Sequence, residues 1–200
     1  MENAVVGYAC SPRPKGNSDA ALALLLAECA AVGVPAERLS LRSACVLPCL
    51  GCQRCALPPG GLCVQSPKDQ SAQLFAPLLT APAVCFAAPI YFYHLPSGFK
   101  AFIDRAQSFY ARRERGDAVM RALPPRKAYV VLVAGRTRGE RLFEGALLTL
   151  KYFLEPFNIT LADPCLLRGV DQPGDLARLA IDEVTAYARA AAAAMRALSP

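Results

Sequence analysis

A chain of 200 residues with 54% apolar and 19% charged side chains has enough apolar mass for one self-supporting domain and no block of disordered composition. Its net charge is +6, but the basic residues are scattered. No Lys/Arg stripe with interleaved aromatics supports nucleic-acid binding, and the one local run, Arg112, Arg113 and Arg115, reads as a solvated helix end ahead of a phosphate ligand.

In chain order, the apolar run Asn3–Ala9 predicts a strand buried on both faces, stopped by "CSPRPKGNS". Ser18 or Asn17 then caps a helix running from Asp19 to about Ala31, in which Leu22, Leu25, Leu26 and Cys29 repeat at helical spacing. "ERLSLRS" alternates as a strand near a sheet edge does. A cysteine-rich insertion at 45–66 follows. A helix around Gln70–Leu79 and a strand Ala83–Pro89 come next. The uncharged stretch from Gln70 to Phe99 is not a membrane span, because Pro77, Pro82, Pro89 and Pro96 would each break the helix. "SGFKAFIDRAQSFY" predicts one amphipathic helix, with Phe99, Phe102, Ile103 and Ala106 on its apolar stripe and Lys100, Asp104 and Arg105 facing elsewhere. A strand Ala128–Ala134, a helix from Glu140 to about Phe153, a weaker strand near Ile159–Leu167 and an Ala-rich last helix from about Gly174 complete the chain.

Strands alternating with helices over the whole of 1–200 predict a single α/β domain: a flavodoxin-like, doubly wound, five-stranded parallel sheet with helices on both faces. Such sheets bind ligands beyond the carboxyl ends of their strands, so the loops after Ala9, Ala88 and Val133 are the candidate site. In the first, Cys10–Ser18, a helix N-terminus offers unpaired N–H groups to an anion. Ser11, Asn17 and Ser18 add donors, Arg13 adds charge, and Gly16 permits close approach. In the second, Tyr91, Phe92, Tyr93 and His94 either hold a flat heterocycle or plug the end of the sheet. His94, the only histidine, reads as a structural hydrogen-bonding residue. In the third, Gly135 fits a close backbone approach, and Arg136 and Arg138 meet phosphate or solvent.

"SPRPKGNS", the cysteine loop and "APIYFYHLPSGFKAFIDR" together resemble the NADPH-dependent FMN reductase family of flavodoxin-like proteins, and within it the iron-sulfur flavoproteins, from Ser11 to about Phe143. The resemblance implies that Ser11, Arg13, Gly16, Asn17 and Ser18 hold the FMN phosphate. It implies that Pro89, Ile90, Tyr91 and Phe92 lie against the flavin ring and that Gly135 completes the site. One departure is Cys10, where Gly is common before "SPR". The resemblance also implies ferredoxin or NADPH as electron source, a small-molecule acceptor, and a dimeric or tetrameric assembly.

"CLGCQRCALPPGGLC" places Cys49, Cys52, Cys55 and Cys63 at C-x2-C-x2-C-x7-C. The spacing is similar to the compact motif of the iron-sulfur flavoproteins, and three close thiolates plus a fourth suit a 4Fe-4S cubane. Zinc, which takes two separated C-x2-C pairs, fits less well; free structural thiols remain the alternative. The N-terminus does not read as a signal peptide, and nine cysteines are an odd total, so the expected setting is a reducing cytoplasm. Cys45 reads as a bystander, and Cys10, Cys29, Cys85 and Cys165 as inert core thiols. The functional expectation is an FMN-dependent oxidoreductase of iron-sulfur flavoprotein type. The alternatives are a cluster-free NAD(P)H:FMN or quinone reductase, and a flavin-binding redox sensor whose partner surface is the Ala-rich helix. No residue stands out as a proton donor.

Overall fold

The computed structural model describes residues 4–57 and 62–197. Its elements are β1 (Val5–Ala9), α1 (Asn17–Ala31), β2 (Ala36–Ser40), α2 (Ser71–Thr80), β3 (Ala83–Pro89), α3 (Ser97–Arg105), α4 (Gln107–Glu114), α5 (Ala118–Ala122), β4 (Arg126–Ala134), α6 (Glu144–Leu154), β5 (Ile159–Leu161), β6 (Cys165–Arg168) and α7 (Ile181–Arg196). Asn3, expected in the first strand, lies outside the described residues.

All pairings are parallel, in the order β2-β1-β3-β4-β5, with β6 also on β4. This is the flavodoxin-like doubly wound sheet. The single weak strand expected near Ile159–Leu167 is two short strands sharing one edge position. β5 pairs with Arg126–Ala128 and β6 with Val131–Ala134. The sheet therefore counts six strands but keeps a five-strand layout. The break falls at Ala162–Pro164, where Pro164 has no N–H to give a ladder. Opposite the break, the Val130 N–H donates to the Tyr187 hydroxyl of α7 at 2.9 Å, which satisfies a group that the interrupted ladder leaves free.

Period-two alternation feeds two cores. Val6, Tyr8, Val84, Phe86, Val130 and Leu132 face one side, where Phe75, Phe99, Phe102, Phe153 and Phe157 form a chain of ring contacts at 4.4–6.2 Å. Val5, Ala9, Cys85, Val131 and Val133 face the other side, under α1 and α7. Gly7 lets α1 settle onto β1, since a Cβ there would meet the Leu22 and Leu26 methyls at 2.9–3.0 Å. The Ala-rich helix packs one face on the core and leaves the other, with Asp182, Glu183, Arg189 and Arg196, exposed. Val184, Ala188, Ala191, Ala192 and Met195 are buried in the core shared with α1, where small side chains allow close approach. Cys10, Cys29, Cys85 and Cys165 are buried as expected, and Cys45 is exposed.

Four further expectations change. Asn17 and Ser18 lie inside the first turn of α1, and Gly16 is its N-cap. The amphipathic helix after β3 breaks at Ala106 into α3 and α4. The helix expected from Glu140 starts at Glu144, because Gly139 and Arg141 hold positive φ of 151° and 57°. The arginine run is not simply solvated: Arg112 pairs with Asp117, Arg113 donates to the Met120 and Pro156 carbonyls, and Arg115 donates to the Cys55 carbonyl.

Candidate functional site

The carboxyl ends of β1, β3, β4 and β6 gather four loops. At β1, the 15-residue helix α1 starts at Gly16 with no side-chain cap, so its first-turn N–H groups are open to an anion. Ser11 and Ser18 are buried beside it. The Ser11 hydroxyl accepts from the Arg13 N–H at 3.1 Å, which folds the loop, and Lys15 takes a left-handed φ of 55°. Asp19, almost fully buried, accepts from the Lys15 N–H at 3.0 Å and pairs with Arg42 at 2.8 Å and Arg38 at 3.1 Å. Arg42 also donates to the Ser11 carbonyl at 3.2 Å. Two arginines against one carboxylate leave a positive surplus beneath the loop. Asn17 is occupied differently from expectation: its Nδ2 donates to the Gln172 carbonyl at 2.9 Å and its Oδ1 accepts from the Leu176 N–H at 3.2 Å.

Beyond β3 and β4, Ile90, Tyr91, Phe92, Tyr93, Gly135 and Arg136 line a cavity of about 510 Å³. This brings together three of the four ring-side residues expected after Ala88, and Gly135. Pro89 ends β3 at the base of this loop. Phe92 and Tyr93 hold φ of 50° and 63°, two successive left-handed residues at the tip of a turn closed by two Tyr91–His94 backbone bonds of 2.9 Å. Positive φ at both central residues is the pattern of a type I′ turn, strained for aromatic side chains. Phe92 is wholly exposed. The Tyr93 hydroxyl accepts from Arg136 at 3.0 Å, and Arg136 also covers the Tyr93 ring, so the two loops are latched together. His94 Nε2 lies 3.0 Å from the Thr149 hydroxyl, a structural contact. The β6–α7 loop adds Asp171 to the cavity lining. Asp171, Arg42 and Asp19 escaped the sequence reading. A carboxylate in "GVDQPGD" and an arginine after a short edge strand carry no signal until the fold brings them to the loops. A larger apolar groove, about 760 Å³, runs along α6 and β5, bordered by Leu147, Leu148, Leu161 and Leu166, away from the α1 N-terminus.

The cysteine loop is fixed at its base by a fully buried pair, Arg105 and Asp69. Arg105, expected to face away from the core, is buried because it also donates to the Leu47 carbonyl at 3.0 Å and to the Ser66 and Ser71 hydroxyls at 3.2 and 3.0 Å. Burial alone would raise the Asp69 pKa. Hydrogen bonds from the Ser71 hydroxyl and N–H, from Arg105 and from the Leu47 N–H outweigh it and hold the carboxyl at about 2. Above this base, Cys49, Cys52, Cys55 and Cys63 border one small cavity with Arg105 and Ser108. Burial, then the neighbouring thiols Cys63, Cys49 and Cys52, push Cys55 up. The Gly51 N–H donates to Cys49 Sγ at 3.5 Å. Among the described residues no three His, Cys, Asp or Glu side chains converge on a single-ion site. Four thiols bordering one small cavity beside a buried guanidinium supply the donor set that a cubane takes, but not its convergent geometry.

The sequence profile of NADPH-dependent FMN reductases matches residues 4–155. The chain belongs to the NADPH-dependent FMN reductase family. An iron-sulfur flavoprotein of Methanocaldococcus jannaschii is 29% identical over 119 residues, covering 58% of this chain and 60% of that protein. An iron-sulfur flavoprotein of Archaeoglobus fulgidus is 33% identical over 100 residues, covering 50% of this chain and 44% of its relative. The chain thus spans about half the length of these two relatives. Among solved structures, the NAD(P)H:quinone oxidoreductase from Methanothermobacter marburgensis superposes with a TM-score of 0.71 at 18% identity, over 95% of this chain and 94% of its own, a likeness of fold. No helix among the described residues is long and apolar enough to cross a membrane.

Proposed function

We propose that this family member is an FMN-dependent oxidoreductase of iron-sulfur flavoprotein type, passing electrons from a reduced donor to a small acceptor. The observation that carries the flavin reading is the uncapped N-terminus of α1 opening beside the aromatic cavity at the carboxyl ends of the strands. Ser11, Arg13, Gly16 and Ser18 form the phosphate cradle, and the Asp19–Arg42 pair holds its shape. Asn17 ties the β6–α7 loop to that cradle. Pro89, Ile90, Tyr91 and Phe92 face the flavin ring, and Gly135 gives it room. Cys49, Cys52, Cys55 and Cys63 are the cluster ligands, with Arg105 offsetting thiolate charge from below. FMN supplies the exchange between two-electron and one-electron chemistry and a cluster supplies one-electron transfer; the protein sets their spacing and polarity. Ferredoxin or NADPH is the donor class, and a second copy of the chain is the assembly partner, both by kinship with the family.

The second reading, a cluster-free NAD(P)H:quinone reductase, is favoured by the quinone oxidoreductase neighbour. Anaerobic reduction separates the two. The first reading expects broad iron-sulfur absorbance that Cys52→Ser removes, with the flavin band bleached by a one-electron reductant. Rapid bleaching by NADPH in wild type and Cys52→Ser alike, without iron-sulfur absorbance, would favour the second.

A further inference from the structure

Asp171 stands between two parts of the candidate flavin site that the sequence reading kept apart. Its backbone carbonyl accepts from Arg13 of the β1–α1 loop at 3.4 Å. Its carboxylate lies against Gly135 of the β4 loop, where a Cβ on that glycine would stand 2.7 Å from Asp171 Oδ1. It lines the same cavity as Tyr91, Phe92 and Arg136.

The loop bearing it is held from both sides. Val170 N–H donates to the Ala134 carbonyl and Gly169 N–H to the Arg136 carbonyl, both at 3.1 Å. Asp175 Oδ2 accepts from the Asp171 and Gln172 N–H groups at 3.0 and 2.7 Å, and Asn17 grips the Gln172 carbonyl and the Leu176 N–H. Gln172 Nε2 donates to Asp171 Oδ2 at 3.0 Å. Oδ1 has no hydrogen-bond donor among the described residues. A fixed carboxylate at the cavity wall, with one oxygen satisfied and the other lying over Gly135 without a donor among the described residues, is an acceptor awaiting an O–H or N–H group.

A ligand with its phosphate at the α1 N-terminus and its ring in the cavity passes this point with the polyol that joins them. We propose that Asp171 binds the ribityl hydroxyls of FMN, as an acceptor separate from both the phosphate cradle and the ring wall. The inference rests on the flavin reading of the site. Gly135 then clears the space that lets the carboxylate stand at the polyol, since a side chain there would collide with it.

Three flavins dissect the assignment, because FMN carries phosphate, ribityl chain and ring, riboflavin lacks the phosphate, and lumiflavin lacks both phosphate and ribityl chain. Each is titrated by fluorescence into full-length protein stripped of flavin. Asp171→Ala is expected to weaken FMN and riboflavin alike, about tenfold each, the loss of one hydrogen bond to a charged group, and to leave lumiflavin unchanged. Asp171→Asn, which keeps an acceptor oxygen, is expected to fall between. Equal loss for lumiflavin would put the carboxylate on the ring. Loss for FMN alone would mean that Asp171 acts through Arg13 on the phosphate. Either result, or no change for any ligand, overturns the assignment. A wild-type chain that binds no FMN at all would instead remove the flavin reading beneath it.

Discussion

Arg105 at the end of α3 and Asp69 just before α2 meet with both side chains fully buried, and their contact ties the base of the cysteine loop to the helix that follows the aromatic cavity. Removing one partner leaves an uncompensated buried charge. Arg105→Ala is therefore expected to cost about 3–5 kcal/mol in denaturant unfolding, whereas replacing both residues by apolar side chains of similar volume is expected to cost much less. A loss below about 1 kcal/mol for Arg105→Ala would show that the pair does not hold the loop base.

The same pair sets a pH dependence. The folded Asp69 pKa of about 2 lies below its unfolded value of 3.8, so its contribution is fully present above pH 3.8 and is lost as pH falls through about 2. Acid titration of stability should show this loss in wild type and lack it in Asp69→Asn. Superimposable acid limbs in the two proteins would contradict the assignment.

Tyr187→Phe tests the break in the edge strand. The Val130 N–H would lose its partner in a buried setting, so about 1–3 kcal/mol of stability should go. Amide exchange at Val130 should accelerate more than at its neighbours in β4. Unchanged exchange there would mean that another acceptor fills the gap.

Arg42 shapes the phosphate cradle through the Ser11 carbonyl and Asp19. Arg42→Ala is expected to weaken FMN about tenfold and leave riboflavin unchanged, since only FMN carries the phosphate. Equal losses for both ligands would place Arg42 in general loop stability instead.

Sequence patterns revealed the sheet because burial on two faces writes itself into β1, β3 and β4 as continuous apolar runs, and β3 matched residue for residue. The split edge strand was harder, since three- and four-residue strands leave almost no period and the gap is filled by a tyrosine from a distant helix. Helix starts shifted where backbone geometry overrode side-chain preference: Gly16 took the cap that Ser18 or Asn17 was expected to supply, and a left-handed Arg141 delayed α6. At the site, residues local to sequence motifs, among them Ser11, Tyr91 and the four thiols, could be named as candidates from the sequence alone. Asp171, Arg42 and the buried state of Arg105 were not, because each depends on partners 23 to 158 positions away.

A flavin and a thiolate-held cluster on one chain form the centre of the proposed function. Iron, acid-labile sulfide and FMN counted per chain after strictly anaerobic purification test it most directly. About four irons and four sulfides are expected beside one FMN, with iron and sulfide lost together in Cys52→Ser. One FMN with no iron or sulfide, after anaerobic handling and attempted reconstitution, would contradict it.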